Sequence, residues 1–275
     1  MSSAPEGTGA GRTDDPWADL RRATQARIGL GRSGSSLPTR RVLEFAADHA
    51  AARDAVHEPL DVDALLPGLR DIGLGEPLCV TSRAEGRSEY LRRPDLGRAP
   101  ASLDVLHESA AASGDEGGDG AGDVVIVLAD GLSPRAVAEH GVALVRALAD
   151  ALGDRYAIAP PVVATQARVA LGDHIGQALR ARTCLMVIGE RPGLSVADSL
   201  GIYLTHEPAP GRHDAQRNCI SNIHPPEGLD YGSAARVTAA LVDGSRSIGE
   251  SGVALKDSSV ADAVEEAEAS ALTDS

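Results

Sequence analysis

DVVIVLA, residues 123–129, is an unbroken apolar run of strand length, the pattern of a strand buried on both faces. Its sequel fixes its neighbours. Asp130-Gly131-Leu132 makes a turn, and Ser133 with Pro134 opens a helix that runs to about Leu152 and stops at Gly153. Tyr156–Thr165 contains a further strand, Val169–Arg182 a helix, and Cys184–Ile188 (CLMVI) another buried strand. Ile202–Thr205 (IYLT) reads as a strand, and Gly232–Asp243 as a helix whose Val237, Ala240 and Leu241 are spaced for packing. Upstream, Pro77–Thr81 (PLCVT) reads as the first strand. Alternation of strands and helices predicts an α/β fold with a doubly wound, mostly parallel, Rossmann-like sheet.

Residues 14–75 read as an N-terminal helical arm ahead of an α/β domain over 76–252. One helix starts with Asp15 as cap and Pro16 in first position and ends before Gly29; a glycine- and serine-rich loop, Gly29–Ser36, follows. A second helix spans Thr39 to His57, where Val42, Phe45, Ala46, His49, Ala52 and Val56 recur at helical spacing as an amphipathic stripe. A third lies around Asp61–Gly73. Three segments read as disordered or loop: the tail 1–13, the acidic run 113–122 (SGDEGGDGAG), and the acidic tail 253–275.

The totals narrow the function. Of 275 residues, 43% are hydrophobic, yet there is one Phe and one Trp, so the core is built from small aliphatic side chains. A net charge of −14, from 40 acidic and 26 basic residues, argues against a nucleic-acid partner, which needs Lys and Arg to neutralise phosphates. No stretch has the length of a membrane span, and the N-terminus lacks the apolar segment of a secretory signal. Cys79, Cys184 and Cys219 are scattered and form no CxxC, which fits neither a disulfide framework nor a zinc site and points to a reduced, cytoplasmic setting.

No motif announces catalysis. Asp130-Gly131, after a buried strand and before a helix, sits where α/β proteins bind ligands, although a turn Asp beside a helix cap has the same spelling. GLGRSG (29–34) follows a helix rather than a strand and so lacks the context of a dinucleotide fingerprint. G-x-S-x-G and H-E-x-x-H are absent. At Val187–Gly193 (VIGERPG) a buried strand ends in Glu190 between glycines that let a bulky ligand approach; a surface Glu–Arg loop reads the same way. Arg217–His224 (RNCISNIH) gathers Asn, Ser, Asn and His before two prolines, as a polar ligand site would, or as an Asx- and Ser-stabilised loop would.

The two runs Val187–Pro208 (VIGERPGLSVADSLGIYLTHEP) and Arg217–His224 together resemble the small subunit of ethanolamine ammonia-lyase. ARIGLGR (26–32), FAADHAAARDAVH (45–57) and VIVLADGL (125–132) extend the resemblance over most of the chain from about 14 to 245, while PPEGLDYG (225–232) departs from it. The resemblance implies a subunit that helps hold adenosylcobalamin at the interface with a large catalytic subunit, which itself binds ethanolamine and converts it to acetaldehyde and ammonia. It carries over three cofactor contacts, Val169, Glu190 and Cys219, and no catalytic residue. Asp-x-His-x-x-Gly, by which other cobalamin domains give cobalt a histidine, does not occur; Asp173-His174 has the wrong spacing. Some relatives are packaged in a bacterial microcompartment, a point the N-terminus leaves open. Two other readings stand beside this one: a cobalamin carrier or sensor without a lyase partner, and a free-standing α/β enzyme using Asp130 and Glu190 as acid and base.

Overall fold

A computed structural model describes residues 15–24, 26–112 and 123–256. The expectations for the tail 1–13, the run 113–122 and the tail beyond 256 lie outside the described residues. Contacts divide the chain into two units, 1–49 and 50–275.

In the first unit, helix α1 is Ala18–Ala23, shorter than its sequence suggests. Asp15 accepts the Trp17 N–H at 3.0 Å and pairs with Arg21, so Pro16 and Trp17 form a turn ahead of the helix. At the other end Thr24 turns extended (φ −149°) and its hydroxyl accepts the Ala26 N–H, which stops the helix five residues before Gly29. Helix α2, Thr39–His57, which begins in the first unit and ends in the second, has its expected limits, but its apolar positions do not form a covered stripe. Val42 and Phe45 are 49% and 48% exposed, and Ala55 is the one buried residue of the helix.

The second unit is a six-stranded sheet with helices on both faces. Its strands are β1 (Leu78–Thr81), β2 (Val124–Ala129), β3 (Val162–Thr165), β4 (Thr183–Gly189), β5 (Leu200–His206) and β6 (Asn218–Ile223). Its helices are α3 (Val62–Arg70), α4 (Arg87–Arg92), α5 (Asp104–Ala112), α6 (Pro134–Leu152), α7 (Leu171–Ala178) and α8 (Tyr231–Ile248). Across the sheet the order is β1-β3-β2-β4-β5-β6. The first four strands are parallel; β4–β5 and β5–β6 are antiparallel. The sheet is therefore mixed: its first four strands in spatial order are parallel, as expected for most of the sheet, and the two at the far edge are antiparallel. The reason is local. Residues 190–199 reverse the chain without a crossover helix, which only an antiparallel neighbour permits.

DVVIVLA is the centre of the fold. Every residue of β2 is inaccessible to solvent. Val124, Ile126 and Leu128 face one core with α3, α6 and α8, whereas Val125, Val127 and Ala129 face another with α5 and α7. Each such side chain contributes about 1.5–3 kcal/mol by burial, so a strand covered twice over has no position for a polar residue. Ser133 caps α6 by accepting the Ala136 N–H, and Gly141 lets that helix approach β2: a Cβ there would meet Leu128 Cδ1 at 2.9 Å. Asp230 caps α8, which runs on beyond Asp243 to a left-handed Gly249 at φ +77°.

This topology fixes where a ligand can sit. From β2 the chain passes through α6 to β3 on one side, then through α7, packed in the opposite core, to β4 on the other side. The order reverses around β2, and the crevice of such a sheet opens at the carboxyl ends of the two diverging strands, here β2 and β4.

Candidate ligand-binding cleft

A cleft of about 430 Å³ opens at that point. Its walls come from five places in the sequence: Tyr90 on α4, Gly131 and Leu132 after β2, Arg168 and Val169 before α7, Ile188 to Arg191 ending β4, and Tyr203 on β5. Two glycines make it. A Cβ on Gly131 (φ +53°) would lie 2.2 Å from the Gly189 carbonyl oxygen, and one on Gly189 would lie 2.1 Å from that of Ser133. Neither position accepts a side chain, so β4 and the β2–α6 turn close on each other backbone to backbone.

Glu190 stands at the mouth, and its carboxylate is held on three sides. Ser199 donates to Oε2 at 2.8 Å, Ser221 donates to Oε1, and the Asn222 N–H donates to Oε2 at 3.2 Å. Asn222 is left-handed (φ +63°), a conformation Asn tolerates. A carboxylate has about four acceptor sites, which leaves one for a ligand.

Val169 lines the same cleft through a loop anchored by Asp130. That carboxylate is 1% exposed and accepts the N–H groups of Gln166 at 2.8 Å and Ala167 at 2.9 Å, with Arg87 Nη1 at 3.4 Å. Burial pushes Asp130 above the ordinary carboxylate range; the Ala167 N–H, the Arg87 charge and the Gln166 N–H oppose it. Its oxygens are spent on backbone, so the structure places Asp130 as the clasp of the loop and not as an acid or base toward solvent. Arg87 also donates to the Gly131 and Val56 carbonyls at 2.8 and 2.6 Å. The Tyr90 ring lies between Arg87 and Arg168, whose guanidinium carbons are 4.9 and 4.3 Å from its centroid, and its hydroxyl donates to the Ala167 carbonyl at 2.9 Å.

Cys219 is on β6, directly opposite Tyr203. Burial pushes the Tyr203 hydroxyl up to about 12, with the neighbouring Cys219 and the Glu190 charge acting in the same sense. Desolvation likewise raises the Cys219 thiol, a Tyr203 hydrogen bond opposing and Glu190 reinforcing, so the sulfur stays protonated and is no nucleophile at neutral pH. Thus Val169 and Glu190 share one cleft and Cys219 flanks its Tyr203 wall.

Sequence reasoning missed Tyr90, Arg168 and Tyr203, and it read β6 as a loop. The signal for Tyr203 was the pleat: in Ile202–Thr205 the Tyr falls on the face opposite to Ile202 and Leu204, which belong to the other core. For Tyr90 there was none, because α4 is six residues with no apolar period.

Among the described residues the walls of the cleft carry no histidine, serine, threonine, lysine or cysteine. What it offers is a carboxylate, guanidiniums, two phenol rings and close-packed glycine backbone. Fold and site together define an α/β protein with an open cleft at the switch point of its sheet. More particularly, residues 14–256 match the family described as ethanolamine ammonia-lyase light chain, and the chain belongs to that family. It is 62% identical over 250 residues to the ethanolamine ammonia-lyase small subunit of Rhodococcus erythropolis, covering 91% of this chain and 93% of the relative. Proteins of the same name from Rhodopseudomonas palustris (strain BisA53) and Pseudomonas aeruginosa (strain UCBPP-PA14) are 51% identical over 248 residues and 48% over 255. Those alignments cover 89% and 92% of this chain, and 91% of each relative. The family carries ammonia-lyase activity as part of a complex. Among the described residues no helix is long and apolar enough to cross a membrane.

Proposed function

We propose that this chain is the small subunit of an adenosylcobalamin-dependent ethanolamine ammonia-lyase, and that Val169, Glu190 and Cys219 grip one edge of the cofactor against a large subunit that binds ethanolamine. The observation that carries the reading is the Glu190 carboxylate, fixed by Ser199, Ser221 and the Asn222 N–H at a glycine-walled switch-point cleft. A corrin rim bears neutral amide arms whose N–H groups need acceptors, and the remaining lone pair of Glu190 supplies a charge-assisted one. Val169 and Cys219 offer apolar contact or main-chain groups at the flanks.

The fit is partial in an informative way. A cleft of about 430 Å³ takes the margin of a corrin ring and not a whole cobalamin, which leaves the rest for a large subunit to cover. When bound, the cofactor supplies the radical chemistry that turns ethanolamine into acetaldehyde and ammonia. This chain's residues position it: the Asp130 clasp sets Val169, the two serines set Glu190, and Gly131 and Gly189 allow the backbone to come close.

Co-expression with a large subunit tests the proposal. The two chains should co-purify, retain adenosylcobalamin and release acetaldehyde from ethanolamine, while this chain alone shows no turnover. Turnover by this chain alone, or failure to associate with any large subunit, overturns it. Fractionation of the producing cells then decides whether the complex is free in the cytoplasm or inside a bacterial microcompartment.

A further inference from the structure

Away from the cleft, His140 on α6 is 6% exposed, and its two ring nitrogens differ in their surroundings. Nδ1 lies 2.7 Å from the Tyr231 hydroxyl of α8. Nε2 is fully buried and has no hydrogen-bond partner among the described residues. A buried imidazole nitrogen without a partner costs free energy in proportion to the hydrogen bond it lacks, so a ligand that supplies that bond is favoured there. Two carboxylates stand beside the ring. Ligand-type atoms of Glu139, His140 and Asp198 all lie within 4.8 Å of one another.

Asp198 is not there by chance of a floppy loop. Ser133 donates to the carbonyl of Ala197 at 2.8 Å, and the Glu190 N–H donates to that of Ser199 at 3.0 Å. Both neighbours of Asp198 are thereby tied down, which holds it over the first turns of α6. Glu139 is exposed, and its contact with Arg135 is 4.0 Å long, a pair worth little.

We propose that Glu139, His140 and Asp198 form a binding site for a divalent first-row metal ion of the manganese-to-zinc range. One imidazole and two carboxylates make a mixed nitrogen–oxygen set suited to such ions, with positions left for water. The Tyr231 contact supplies the orientation that metal-bound histidines need from their other nitrogen: Nδ1–H donates to the phenol oxygen, and Nε2 keeps its lone pair for the metal. The bound ion ties the loop that returns from Glu190 to α6, and so braces the cleft from behind without touching its contents.

The test uses the full chain, stripped with chelator, and Mn²⁺ alone as probe. Electron paramagnetic resonance should show loss of the free aquo signal with one ion taken up per chain, and pulsed measurement should show nitrogen modulation from one histidine. Asp198→Asn should weaken uptake by at least tenfold, and Tyr231→Phe, which removes only the orienting contact, by about tenfold. His140→Gln should abolish the nitrogen modulation. No uptake at millimolar Mn²⁺, uptake unchanged in Asp198→Asn, or nitrogen modulation surviving in His140→Gln would each overturn the assignment. Asp198 lies on a partly exposed loop, so its variant folds even where substitution of the buried His140 does not. The readout is independent of cobalamin, and its failure leaves the reading of the cleft untouched.

Discussion

Replacement of Arg217 gives the most calculable consequence of this fold. Its guanidinium makes two parallel bonds to Asp173, at 2.6 and 2.7 Å, with both side chains at most 2% exposed. Nη1 also donates to Thr205 Oγ1 at 2.7 Å and Nη2 to the Arg212 carbonyl at 3.0 Å. Burial by itself would lower the Arg217 guanidinium, but the Asp173 bonds and charge outweigh it and the net shift is upward. Arg217→Met keeps much of the volume and leaves the Asp173 carboxylate dry and unpaired, a cost of about 3–5 kcal/mol. In a chain of this size that lowers the melting temperature by roughly 10 °C. Adding Asp173→Leu removes the stranded charge, so the double variant should recover most of the loss, because two apolar side chains of similar shape are often no worse than a buried pair. Thermal unfolding followed by circular dichroism of the wild type, both single variants and the double variant closes the cycle. A loss below about 1 kcal/mol for Arg217→Met, or a double variant as unstable as the sum of the singles, refutes the reasoning.

Asp130→Asn should cost about 2–3 kcal/mol and free the loop before α7, since the Gln166 and Ala167 N–H groups bond different oxygens and one of these becomes an NH2 donor that faces an N–H; hydrogen exchange at those two amides should speed up while β2 stays protected. Gly201→Ala should change stability by less than about 1 kcal/mol, because its Cβ meets the flexible end of Glu190, Oε1 at 2.9 Å, yet it should weaken cobalamin retention by pushing that carboxylate out of its seat. His206 is 4% exposed, and burial, its largest influence, holds it below its ordinary value of 6.5, with Arg246 acting in the same sense. The unfolded chain thus binds the proton first, so its contribution to stability is present above pH 6.5 and lost as pH falls; urea midpoints should drop on acidification from neutral pH, and less so in His206→Gln.

Much of the fold was legible because β2 and β4 are covered on both faces, and a strand in that position can only be an apolar run. The limits of α2 and α6 followed from Thr39, Ser133, Pro134 and Gly153. Strand β6 was not legible, since NCISNI lies at the sheet edge with Ile220 and Ile223 as its buried residues. Helix α4 has no apolar period of its own: it is held by Tyr90, which packs against Arg87 of the same helix and against Arg168 and the Ala167 carbonyl, both distant in sequence. The same holds for the site. Glu190 stood out as a carboxylate at a strand end between glycines, but its serine seats come from residues 199 and 221, and no pattern near 190 names them. Spacing alone left Asp130 open between clasp and catalyst; only the burial of its oxygens and the amides they receive decide for the clasp.

The central claim is that Glu190 holds the cofactor, and it is tested most directly by equilibrium binding of adenosylcobalamin to the complex assembled with the large subunit. Glu190→Gln keeps the size of the side chain and its seat at the cleft but removes the charge, so the dissociation constant should rise on the order of tenfold while complex assembly is unchanged. An unaltered dissociation constant in an intact complex would contradict the account.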